Sequence, residues 1–210
     1  MSAPDLAGLD LSGLVSARLC HDLISPIGAI GNGLELLQLS DAAGSPELEL
    51  ISGSLASALA KLRFFRIAFG PADVQARQSF DETRALADAM FQNRFTVAWS
   101  TEVADMPRPT VRLIFLALLC LERSLPMGGA ACVAVTGGEV TLVAEGRRAA
   151  PTAELWALVT EGAAPPRLKP DAVQFALLRQ ALGEAGRGVE AAFTETGIEL
   201  RMTAEAAVPA

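Results

Sequence analysis

The sequence predicts an α+β protein: an N-terminal antiparallel helical hairpin that pairs with a second copy into a dimeric four-helix bundle, then a C-terminal α/β sandwich. Three observations lead there. Two N-terminal stretches carry apolar side chains at alternating spacings of four and three, the pattern of helices packed in a bundle. The rest of the chain mixes short strand-like alternation with helical periodicity, the order of an α+β domain. With 210 residues and 51% hydrophobic content, there is apolar material for a substantial core in one or two domains.

The elements follow in order. Leu23, Ile27, Ile30, Leu34 and Leu37 mark the first helix, within residues 11 to 39. The run Ser40 to Pro46 is rich in turn and helix-starting residues. Ile51, Leu55, Ala58, Leu62, Phe65 and Phe69 mark the second helix, which stops near Gly70-Pro71. Two helices cannot cover their own apolar seam, and a second copy completes the bundle, so a homodimer is expected. The boundary falls between residues 1–76, the dimerising hairpin, and residues 77–210. In the second segment Phe80 to Gln92 reads as a helix and Phe95 to Ser100 as a strand. Thr110 to Leu125 is a strongly apolar helix closed by Pro126-Met127-Gly128-Gly129. Ala131 to Thr136 and Glu139 to Ala144 form a hairpin about Gly137-Gly138. Leu155 to Val159 is a further short element, Asp171 to Ala185 a helix, and Gly188 to Phe193 with Gly197 to Thr203 a last hairpin.

The chain has one histidine, His21, so chemistry that needs a near-neutral ring nitrogen must pass through it. Arg18, His21, Ser25, Gly28 and Asn32 form a second stripe on the first helix. At about 100° per residue it lies nearly opposite the leucines, which predicts a solvent-facing imidazole. Pro26 interrupts this helix: it has no N–H to give the carbonyl of Asp22, four residues back. Either the helix runs through with a local kink beside His21, or Pro26 begins a second helix capped by Ser25.

Composition excludes several classes. The longest apolar run, Leu113 to Leu121, is far below the ~20 residues a membrane span needs. The start Met-Ser-Ala-Pro-Asp-Leu lacks the regions of a secretory signal. Cys20, Cys120 and Cys132 are odd in number and widely spaced, as suits reduced thiols in a cytoplasm, and form no metal-ligand spacing with His21. A formal charge of -7 argues against nucleic-acid binding.

The run His21-Asp22-Leu23-Ile24-Ser25-Pro26-Ile27 resembles the phospho-acceptor box of sensor histidine kinases. The longer stretch from Arg18 to Leu37 resembles the ChpT-type histidine phosphotransferases of alphaproteobacteria. That resemblance implies a homodimeric phosphorelay protein taking phosphate from a hybrid kinase's receiver, of the CckA kind, and passing it to CtrA-like and CpdR-like response regulators. The second segment resembles in architecture the ATP-binding domain of histidine kinases, in degenerate form. Where the kinases carry Mg²⁺-ATP-binding asparagines, the matching positions here are Leu116 and Cys120. Val143 to Arg148 replaces the adenine-binding Asp-x-Gly-x-Gly motif, and Pro165 to Asp171 replaces a glycine-rich segment. No ATP binding or autokinase activity is therefore expected. Gly183 to Gly188 lacks the Lys-Ser/Thr pair of a phosphate loop and reads as a helix end and turn.

The chemistry assigns roles around His21. A neutral ring nitrogen attacks a receiver's aspartyl phosphate, and the reverse step hands the phosphate on. Asp22 is the group to fix the ring's tautomer, and Ser25 to hydrogen-bond the phosphoryl group. Arg18, Ile24, Gly28 and Asn32 are the candidate partner-binding residues. Each has a plainer alternative: a solvated Asp22, a Ser25 bonded back to residue 21, an Arg18–Asp22 surface pair, a packing glycine. Among the basic groups, Lys61, Arg63 and Arg66 are placed to share a face with His21, whereas Arg147 and Arg148 read as solvated charges. No metal or cofactor of the chain's own is expected, since the receivers supply Mg²⁺. The other readings are an atypical ATP-binding kinase and a non-catalytic scaffold that docks receivers.

Overall fold

The computed structural model of the chain describes residues 10–39, 46–71, 73–92, 94–101, 103–163 and 167–204. The turn expected at 40–45, the first residues of the chain and Pro165-Pro166 lie outside them. Helix α1 (Leu11–Leu39) and helix α2 (Pro46–Ala68) pack along their lengths as the expected hairpin. Helix α1 is continuous, with Pro26 inside it, so Pro26 does not begin a second helix. The reason is local: the apolar spacing keeps its phase through the proline, and packing against α2 supports both flanking turns.

Only part of the apolar surface of α1 meets α2. Pro26 and Gly33 are buried, Leu23, Ile30 and Leu37 half-buried, while Ile27 is 58% and Leu34 49% exposed. On α2, Leu48, Leu55 and Leu62 recur every seventh residue and are also exposed. The seam within one hairpin is thus offset from the 4-3 row. One α2 covers only one side of α1, which leaves the rest of the row uncovered in a single chain.

Beyond the hairpin come β1 (Arg77–Ser79), α3 (Phe80–Met90), β2 (Phe95–Trp99), β3 (Asp105–Pro107) and α4 (Arg108–Ser124). They are followed by β4 (Gly129–Thr136), β5 (Glu139–Gly146), α5 (Ala153–Glu161), a 3-10 turn (Pro170–Ala172), α6 (Val173–Glu184), β6 (Arg187–Phe193) and β7 (Gly197–Ala204). Five strands form one sheet in the order β2-β4-β5-β7-β6, with β2 parallel to β4 and the other pairs antiparallel. Alternation along the central strands is one-sided. Ala131, Val133, Val140, Leu142, Ala144, Ile198, Leu200 and Met202 are buried, while Ala130, Cys132, Val143 and Arg201 are exposed. The sheet therefore has one covered face, as in a two-layer sandwich. The Gly137-Gly138 turn has positive φ at both residues, 58° and 88°, which matches the twist of a two-residue hairpin.

The short pair β1–β3 was not foreseen, because three residues are too few to show alternation. Leu155 to Val159 proves to be the centre of helix α5. The Trp156 indole donates to Ser124 Oγ at 3.0 Å, and its ring meets Phe175 and Phe193 edge-on.

Helix α4 is buried from Thr110 to Leu121; nearly all of that stretch is apolar, and the charged exception, Arg112, donates to the Ala68 carbonyl and pairs with Glu184. It lies against the sheet, α6 and the end of α2. There Phe64 stacks on Phe115 at 4.2 Å between ring centroids and meets Phe91 edge-on. Phe64, Phe65, Ile67 and Ala68 belong to the same core as α4. The last turns of the hairpin are therefore fixed to the second segment by buried aromatic packing, which sets where α1 stands relative to the sheet.

Candidate functional site

His21 lies in the first half of α1, its side chain 85% exposed. The ring is held at one nitrogen: Nδ1 is 2.9 Å from Asp22 Oδ1. A carboxylate accepts, so Nδ1 is the donor, which in the neutral ring leaves the lone pair on Nε2, facing solvent. Asp22 is itself held, with its side chain only 12% exposed. Arg18 Nε donates to Asp22 Oδ2 at 2.7 Å. One guanidinium nitrogen of Arg18 also donates to the Asp171 carbonyl at 3.2 Å, on the 3-10 turn before α6. Asp171 is in turn paired with Arg123 of α4 at 2.9 Å.

A third link reaches Asp22 from the other helix. Lys61 Nζ, on α2, donates to the Asp22 carbonyl oxygen at 3.3 Å. Asp22 therefore meets the ring, Arg18 and Lys61 through its three oxygens. Arg63 and Arg66, although near in sequence, face elsewhere: both line grooves with Phe65 and Phe69 or with α3. Of the basic group on α2, it is Lys61 that bonds the residue beside His21.

The remaining candidates lie on the open side of α1. Ser25, Ile24, Gly28 and Asn32 are all exposed, and a Cβ built at Gly28 meets nothing within 4 Å. Ser25 and Pro26 line a groove of about 420 Å³ with Lys61 and Ser57 of α2. Arg18 departs from the solvent-facing stripe of the sequence, with its side chain only 16% exposed. The second segment covers it through Asp171, a contact across 153 positions that no local pattern reveals.

On the inner side, Arg18, Arg94, Glu122, Arg123, Asp171 and Gln174 line a cavity of about 310 Å³ between α1, the end of α4 and the 3-10 turn. Burial pushes the Glu122 carboxyl above the usual carboxylate range, and Asp22 adds to this, while Arg18, Arg94 and Lys61 oppose it. Leu116 and Cys120 are both fully buried in the core, and burial raises the Cys120 thiol well above its ordinary value. The described residues hold no cluster of His, Cys, Asp and Glu able to bind a metal ion. None of the described helices is long and apolar enough to cross a membrane.

Comparison with known proteins gives this arrangement a class. The histidine phosphotransferase C-terminal domain family matches residues 80–197. The protein phosphotransferase ChpT of Brucella abortus (strain 2308) is 38% identical over 144 residues, covering 66% of this chain and 68% of that one. The 1.7 Å structure of a bacterial phosphotransferase superposes with a TM-score of 0.79 at 32% identity, over 96% of this chain and all of that one. A fainter likeness, with a TM-score of 0.45 at 13% identity, covers 89% of this chain and 59% of the histidine kinase ThkA in complex with the response regulator TrrA. The chain belongs to the histidine phosphotransferase family and is a phosphotransferase. Its likeness within that family is to the ChpT type, which places it in a phosphorelay.

Proposed function

We propose that His21 is the phospho-acceptor, taking phosphate from the receiver aspartate of a hybrid kinase and returning it to the aspartates of response regulators. The observation that carries this reading is the pairing of an exposed ring with a half-buried, doubly held Asp22. Nε2 attacks the phosphorus of the acyl phosphate. The P–O bond to the donor aspartate breaks and a P–N bond forms, while the aspartate leaves as a carboxylate. The ring keeps its Nδ1 proton and becomes cationic, and Asp22 balances that charge at 2.9 Å. Transfer to the acceptor aspartate is the same step reversed.

Positioning supplies most of what the step needs. Arg18 fixes the Asp22 carboxylate, and so the ring's tautomer and angle. Ser25, one turn on, is placed to bond the phosphoryl oxygens, and Ile24, Gly28 and Asn32 give the receiver an unobstructed approach. The receivers bring the Mg²⁺. The protein takes no ATP: the helix positions at which the kinase resemblance expects magnesium-binding asparagines are Leu116 and Cys120, packed into the core. The partners by resemblance are a CckA-like hybrid kinase and CtrA-like and CpdR-like regulators, met in the cytoplasm. The exposed apolar row of Ile27, Leu34, Leu48, Leu55 and Leu62 favours a homodimer, and Leu34→Glu with Leu55→Glu is expected to sediment as a single chain.

The test is transfer from a phosphorylated receiver to the wild type and to His21→Ala. Label on the wild type alone is the expected result. Labelling by ATP without a receiver would instead make this a kinase, and relay unchanged by His21→Ala would make it a scaffold.

A further inference from the structure

Pro26 has no N–H, so the Asp22 carbonyl lacks the helix bond that residue 26 normally supplies. That carbonyl belongs to the residue that orients His21. The chain nevertheless stays helical through this turn, and Lys61 Nζ approaches the freed oxygen to 3.3 Å from the opposite helix. We infer that Lys61 is a positioning residue: its ammonium replaces, from α2, the bond that Pro26 removes from α1. The turn that carries His21 and Asp22 is thereby held in register.

Three observations converge on this. Pro26 is buried and half-buried Lys61 lines the same groove, and the bond from Lys61 to the Asp22 carbonyl is itself part-buried, where a carbonyl left without a partner is costly. The neighbouring Arg63 and Arg66 face other grooves, so it is the location of Lys61, not the general basicity of α2, that matters. Asp22 is already fixed at both carboxylate oxygens, and fixing its main chain as well leaves the ring little freedom to swing. Lys61 acts through Asp22 rather than on the phosphoryl group. The inference rests on the reading of His21 as phospho-acceptor and deepens it.

The test is a double-mutant comparison with two readouts: the rate of phosphate uptake from a receiver domain charged with acetyl phosphate and freed of excess reagent, and the ¹⁵N signals of the imidazole. His21 is the only histidine in the chain, so those signals are unambiguous. Lys61→Met is expected to slow uptake about tenfold and to move the Nδ1 signal away from its carboxylate-bonded position. Lys61→Arg, which keeps a donor of similar reach, is expected to stay within about threefold of wild type. In a Pro26→Ala background an amide N–H at position 26 restores the helix bond, and adding Lys61→Met should then change uptake by less than about threefold.

An equal loss with and without Pro26→Ala, or an unchanged ring signal in Lys61→Met, overturns the inference. If Lys61→Met fails to fold alone, the double variant decides: folded and active, it supports the role; unfolded, it removes it. Wild type that takes no phosphate from any receiver would sink the phospho-acceptor reading itself, while the ring signals would still report on Lys61.

Discussion

Helices α1 and α4 are joined at the site through the 3-10 turn between them and use apolar sequence in opposite ways. From Thr110 to Leu121, α4 is buried, and Leu119 alone of that stretch borders the cavity beside Arg18. On α1, Pro26 and Gly33 are buried, while Ile24, Ile27, Leu34 and Leu36 are open, and the one imidazole points outward. The contrast separates two tasks. Helix α4 anchors the fold by filling its interior, and α1 keeps a surface for other proteins. At the site the link between them is polar, Arg18 to Asp171 and Asp171 to Arg123, while Leu11, Leu14, Val15 and Leu19 of α1 pack against the core that α4 fills.

Restoring a polar side chain to α4 is the harshest challenge to this contrast. Leu116→Asn is expected to lower stability by about 3–5 kcal/mol, through lost apolar contacts and a buried amide without partners. Urea denaturation measures it, and a loss under about 1 kcal/mol would show that α4 is not the closed core described. On α1 the corresponding change leaves the fold alone and strikes function. Asp22→Asn removes a charge-assisted bond of about 1.5–3 kcal/mol, which corresponds to a loss of about ten- to a hundredfold in phosphate transfer, with little change in the urea midpoint. An unaltered transfer rate would reduce Asp22 to a surface side chain.

The smallest effect lies at the junction. Burial holds the Glu122 carboxyl above its ordinary range, so the folded chain keeps a proton over an interval of pH where the unfolded chain has lost it. Stability therefore falls as pH rises from the unfolded value through the folded one, and the deficit is complete above it. Glu122→Gln should raise the thermal midpoint at neutral pH, and the gain should vanish once the pH drops below the ordinary carboxylate range. A gain that grows on acidification would reverse the assigned sign.

Much of this was legible in the chain. The alternation of four and three placed both hairpin helices, and the glycine pair placed a hairpin turn. The shifted polar stripe placed His21, Ser25, Gly28 and Asn32 toward water, because periodicity within one helix is a local property. Arg18 was misjudged as solvent-facing, since what covers it is a carbonyl 153 residues away. The carbonyl freed by Pro26 could be read from the sequence, but the lysine that bonds it could not, because the pairing depends on how two helices lie together. Likewise the in-chain exposure of Ile27 and Leu34 departs from a simple seam because it depends on what packs beside the hairpin, which no spacing encodes.

The most direct measurement is the position of phosphate on the ring, read by phosphorus–nitrogen coupling in ¹⁵N-histidine-labelled protein charged by a phosphorylated receiver. Coupling to Nε2 of His21, with Nδ1 still protonated and bonded to Asp22, is the predicted result. Phosphate on Nδ1, or on any residue other than His21, would contradict it.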